Sequence, residues 1–104
     1  MREFKAGRVN LSHYLMKVLP SNLKPYKRTP LFTEVTVPAA LLNKHNTKAG
    51  VWGVINIEEG ELEYSIGDTE KHTLSPSNPG IVEPEVFHHV CPLGEVSFYV
   101  EFYK

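Results

Sequence analysis

The chain has 104 residues, 41% of them hydrophobic and 22% charged, with a formal net charge of −1 and a pI near 6.5. That length supports one domain with a single modest core, and the near-neutral balance lacks the basic surplus of a general nucleic-acid binder. No apolar run approaches the roughly 20 residues that cross a bilayer, and the single cysteine, Cys91, rules out an internal disulfide and suits a reducing, cytoplasmic compartment.

Residues 1–15 carry charge but no apolar stretch of the signal-peptide kind. Met16 then opens "MKVLPSNLKPYKRTP", which reads as a natural start. The expected organisation is an arm, upstream extension or vector-derived leader over 1–15 and one domain over 16–104. If the arm is ordered, Phe4, Val9, Leu11 and Tyr14 would pack it across a neighbouring surface.

From Pro20 onward the chain is punctuated by prolines, eight in all. Each fixes φ and removes an amide donor, so long helices are not expected. "LFTEVTV", Leu31 to Val37, reads as a strand. "PAALLNKH", Pro38 to His45, has room for one helical turn. "GVWGVINIEE" followed by Gly60 and "ELEYSI" predicts a hairpin turning at Glu59-Gly60. In its second arm Leu62, Tyr64 and Ile66 alternate with Glu61, Glu63 and Ser65, a half-buried strand with a wet outer face. "KHTLSP" is a short strand and "SNPG", Ser77 to Gly80, a turn. "GIVEP" and "VFHHV" read as two strands broken by Pro84, and "EVSFYVEFYK" is the strongest strand. Short strands between turn signals predict an all-β sandwich or barrel, with a jelly roll one of the small forms that fit. Trp52, Tyr64, Phe98, Val100 and Phe102 are the expected large core or interface residues.

Five histidines are the candidate chemistry. His13 falls in the arm, and His72, after Glu70-Lys71, is expected to be solvated. His45 sits in the polar loop "KHNTKAG", where exposure and a ligand role both remain open. His88 and His89 must face opposite sides of a strand. His88 shares the parity of Val86 and Val90, and His89 that of Phe87 and Cys91, so both faces look apolar and alternation does not choose between them. Nucleophilic catalysis by Cys91 is not expected, and Cys91 is read as a small buried hydrophobe. Ser75 and Ser77 lack a nucleophile elbow, and no phosphate-binding glycine loop is present.

"PEVFHHV" is similar to the second cupin motif, and "HNTKAGVWGVINIEEGELEY" to a degenerate first motif ending in the glycine turn at Gly60. More narrowly, "LPSNLKPYKRTPLFTEVTVPAALLNKHNTKAGVWG", "PGIVEPEVFHHV" and "FYVEFYK" resemble the TehB/YeaR-like family of small cupins, over nearly all of the chain beyond residue 15. The resemblance implies a cupin jelly roll (a double-stranded β-helix) and a tellurite-resistance or stress-response setting. It implies a divalent metal, Zn²⁺ or Fe²⁺, on His45, His88 and Glu101, with His89 turned outward or into a subunit contact. Thr47, Trp52, Glu85 and Tyr99 are then the expected ligand-binding residues, for a small molecule or oxyanion, in a homodimer. The departures are specific: Thr47 stands near the second histidine position of the first motif and Gly53 near its glutamate. The family's methyltransferase has no counterpart here, so methyl transfer is not expected of these residues. A metal-binding cupin, a non-catalytic ligand-binding module and a dimerisation module are the three readings carried forward, and turnover is left open.

Overall fold

A computed structural model describes residues 18–104; the arm expected over 1–15 lies outside the described residues. Among the described residues there are six strands and one helical turn: β1 (Pro25–Arg28), β2 (Phe32–Thr33), α1 (Ala39–Leu42), β3 (Trp52–Ile66), β4 (Glu70–Leu74), β5 (Gly80–Val82) and β6 (His88–Tyr103). All pairings are antiparallel, in one sheet of order β1-β6-β3-β4, with β2 on β6 and β5 on β3. The all-β expectation therefore holds, and the short helix α1 falls inside the stretch that had room for it.

The frame is a pair of long strands. β3 has 15 residues and β6 has 16, and they pair from Trp52↔Tyr103 at one end to Ile66↔His88 at the other. The register shifts twice midway, between Ile57 and Glu59 and between Gly60 and Leu62. On β3 the first shift inserts one extra residue, so the inward parity passes from Gly53, Ile55 and Ile57 to Leu62 and Tyr64. The second shift opposes Gly60 and Leu62 to Val96 and Pro92, which adds two residues on β6 and leaves its parity intact: His88, Val90, Val96, Phe98 and Val100 all face in. Bulges bend and twist a sheet, and here they fold its two halves around one core of Ile55, Ile57, Leu62, Tyr64, Leu74, Val82, Val90, Val96, Phe98 and Val100.

Several local expectations are corrected. Glu59-Gly60 is not a hairpin turn. Gly60 has φ +83, and a Cβ there would collide with the Glu95 carbonyl and lie 2.9 Å from the Val96 Cα. Its glycine permits the left-handed bulge and close backbone approach rather than a reversal. The reversal comes at residues 67–69, between β3 and β4. "VFHHV" and "EVSFYVEFYK" are not separate strands, because Pro92 and Gly94 fall at the bulge, where a missing amide donor is tolerated. The strand expected over Leu31–Val37 stops at Thr33. There the Thr36 hydroxyl accepts the Thr33 amide at 2.8 Å and the Val37 amide reaches back to the Thr33 carbonyl at 3.0 Å, a side-chain-closed turn that competes with a ladder. Ser65, expected wet, is buried, whereas Cys91, expected buried, is exposed. Tyr64, Phe98 and Val100 are buried as expected, while Trp52 and Phe102 are half-buried.

Candidate functional site

The loop carrying His45 is fastened to the first residue of β6 by a two-way backbone bridge. The His45 amide donates to the His88 carbonyl at 3.0 Å and the His88 amide to the His45 carbonyl at 2.9 Å. Two residues on, the Thr47 carbonyl accepts the Glu85 amide at 3.0 Å. Glu85, just after Pro84, has φ 64, an uncommon left-handed conformation for a side-chain-bearing residue. Pro84-Glu85 thus turns the chain so that β6 enters with His88 facing in, 5% exposed, while His89 faces away and is half-buried. One His89 ring nitrogen, Nδ1, is buried and has no hydrogen-bond partner among the described residues.

The bridge brings the two inward rings together, with centroids 4.1 Å apart and planes tilted by 61°. Each Nδ1 is tied to a carbonyl two residues upstream, His45 to Asn43 at 2.8 Å and His88 to Val86 at 2.9 Å. A carbonyl can only accept, so each Nδ1 carries the proton and, in the neutral ring, each Nε2 keeps its lone pair. Burial pushes the His88 imidazole down to about 4; the Val86 bond opposes this and His45 and His89 add to it. His88 is thus neutral at physiological pH. The Tyr64 ring also packs edge-on against it at 5.9 Å, held by a 2.9 Å bond from its hydroxyl to the Ile81 carbonyl. Burial, with Glu83 and Glu70 nearby, pushes the Tyr64 phenol up, so it remains a donor.

Both histidines line a cavity of about 130 Å³, whose wall is otherwise mostly aliphatic and aromatic, with Leu41, Ile55, Val82, Phe98 and Phe102 among its residues. Its hydroxyls are committed internally. Thr29 Oγ1 donates to the Pro30 carbonyl at 2.9 Å and accepts the Val100 amide at 3.0 Å, and Thr47 Oγ1 donates to the Val51 carbonyl at 2.7 Å.

Of the residues expected to form the site, the structure gathers His45, His88 and Thr47. Glu101 is not with them. It lies on the opposite face of β6, where the Tyr103 hydroxyl donates to it at 3.3 Å and Arg28 approaches to 3.9 Å. Tyr99 shares that outer face under the Arg28 guanidinium, 4.2 Å from the ring centre, and Trp52 pairs across from Tyr103. Glu85 is exposed and contributes its backbone. Among the described residues no group of three or more His, Cys, Asp or Glu is placed to hold a metal ion. His72, expected to be solvated, is half-buried and bonds Glu70 at 2.6 Å. Sequence reasoning placed Tyr64 in the core and missed its contact with His88, which depends on β3 and β6 pairing beyond the bulge. Thr29 carried no signal, because a hydroxyl before a proline is ordinary loop composition.

The match to known proteins covers most of the chain. The profile of the TehB-like domain matches residues 27–100. A probable S-adenosyl-L-methionine-dependent methyltransferase, TehB of Haemophilus influenzae, is 34% identical over 76 residues, covering 67% of this chain and 27% of that protein. The chain therefore spans about a quarter of that relative's length. The crystal structure of TehB from the same organism superposes with a TM-score of 0.75 at 32% identity, over 80% of this chain and 32% of that one. The uncharacterized protein YeaR of Escherichia coli K12 is 22% identical over 95 residues, 81% of this chain and 79% of its own. A solved E. coli K12 structure shares the fold, with a TM-score of 0.77 at 19% identity over 84% of this chain and 95% of that one. With its profile matched across both strands that build the histidine cavity, the chain belongs to the TehB-like domain family.

Proposed function

We propose that this TehB-like domain is a small-molecule-binding module of the cupin kind, in which His45 and His88 hold a divalent metal, zinc or iron(II), and a small molecule or oxyanion completes its coordination. The observation that carries the reading is the paired rings, 4.1 Å apart, each with Nδ1 bonded to a carbonyl. Fixing Nδ1 in this way is how metal-binding histidines are commonly oriented with Nε2 free, and imidazole suits both metals. The donors fit such an ion in part: two imidazoles are present, and the carboxylate expected at Glu101 lies on the other face. When bound, the metal supplies a Lewis acid with open positions. The chain's own part is to present two lone pairs in a largely apolar pocket and to exclude bulk water from it.

A second reading, a ligand-binding module without metal, is favoured by the want of a third donor among the described residues. Metal analysis of protein purified without an affinity tag and loaded with Zn²⁺ separates the two. Stoichiometric zinc that is lost in His45→Ala and in His88→Ala supports the metal reading. A protein that retains none under any loading condition leaves the metal-free module.

A further inference from the structure

The histidine cavity is rich in hydrogen-bond acceptors and poor in donors. Each Nδ1–H is spent on a carbonyl, Asn43 for His45 and Val86 for His88. The Thr29 and Thr47 hydroxyl protons go to the Pro30 and Val51 carbonyls. Asn46 also lines the cavity but is exposed. The Nε2 lone pair of each ring has no hydrogen-bond partner among the described residues. His88 is the sharper case, because the residue is 5% exposed. Its Nε2 is not packed out of reach as His89 Nδ1 is, and the space that His88 lines is the cavity. A buried acceptor without a donor is costly, so a ligand that brings one is favoured.

Charge narrows the class. No described lining residue is acidic or a cysteine, and no third metal-ligating side chain converges among the described residues. A divalent ion there would lack both a further protein donor and a counter-charge. An anion would meet lone pairs in an apolar wall. A neutral molecule meets neither obstacle. We infer that the cavity binds a small neutral molecule carrying an N–H or O–H group on a compact apolar body, with the group donating to His88 Nε2 and the body against Ile55, Val82 and Phe98. This rests on the metal-free reading above and names the ligand class that reading leaves open. The volume is about 130 Å³, and a cavity of ~150 Å³ lined by Leu, Ile and Phe takes benzene, so the body is a small ring or a short branched chain.

Pyrrole and furan are five-membered rings of nearly the same shape, one with an N–H donor and the other with an oxygen acceptor. Titration of the whole chain with each, after a chelator has removed any metal, tests the inference by imidazole ¹⁵N and methyl spectra. Pyrrole should bind at least about tenfold tighter than furan, and it should shift the His88 Nε2 resonance while Nδ1–H persists. In His88→Leu, which removes the acceptor and keeps apolar bulk, the preference should fall to near unity. If that variant does not fold, the two wild-type titrations and the Nε2 shift decide alone. Furan binding as tightly as pyrrole overturns the donor requirement and leaves the metal-free module standing. Acetate binding more tightly than pyrrole overturns the neutral class. Binding of none of the three in the millimolar range, where so small a ligand is expected to bind, overturns the metal-free ligand-binding reading and this inference with it.

Discussion

His88 carries most of the site's physics in one side chain. It is 5% exposed, bonded through Nδ1, and flanked by the His45 and Tyr64 rings. Because burial holds its folded-state pKa at about 4, against about 6.5 when unfolded, the unfolded chain binds the extra proton between those values. Its contribution to stability is therefore complete above about pH 6.5, is lost as the pH falls towards 4, and levels off below. Denaturant titrations at pH 7 and pH 5 should show wild type losing more stability on acidification than His88→Asn; equal losses would contradict the assignment. Alternation alone could not single out His88, since its neighbours on both faces are apolar. The choice came from the resemblance, and the structure supplies the reason in the Pro84-Glu85 turn, whose left-handed Glu85 no composition rule foretells. Glu101 shows the converse: its parity with Tyr99 and Tyr103 could be read in the sequence, and that parity sets it on the outer face.

Among the elements, the bulge shared by β3 and β6 decides the architecture. Without its extra residue on β3, Leu62 and Tyr64 would face outward and Glu61 and Glu63 inward. Gly60 is where that bulge is least replaceable, with φ +83 and the Glu95 and Val96 backbone against the position of a Cβ. Gly60→Ala should destabilise the domain by at least about 1–3 kcal/mol, the usual range for a residue forced into such a conformation, read from chemical denaturation. Gly67, also at positive φ but with open space around it, should lose less on the same change. The strands on either side were legible from their alternation, Leu62, Tyr64 and Ile66 in particular. The bulge was not, because a glycine after two glutamates reads equally as a turn, and only long-range pairing with β6 separates the two.

For the molecule as a whole, Phe98 is the keystone. It is fully buried, stacks edge-on against Phe32 at 5.7 Å, and lines the histidine cavity. Phe98→Ala should cost about 3–5 kcal/mol, and near-wild-type denaturant stability would contradict its place in the core. Among the described residues β1 lies at one edge of the sheet with all four of its residues exposed, beside an outer face carrying Trp52, Tyr99 and Tyr103. Such an edge is commonly covered or paired, and we expect a second copy to cover it. Sedimentation equilibrium at micromolar concentration should report a dimer, and a monomer alone would refute this. Among the described residues no helix is long and apolar enough to cross a membrane.

The claim on which the functional account stands is that His45 and His88 offer two Nε2 lone pairs to one metal. Long-range ¹H–¹⁵N correlation spectra of the imidazoles test it most directly, before and after addition of Zn²⁺ near neutral pH. Both rings should start as the Nδ1–H tautomer, and both Nε2 resonances should move together on zinc binding while Nδ1–H persists. An Nε2–H tautomer at either histidine in the free protein, or Nε2 resonances indifferent to saturating zinc, would contradict it.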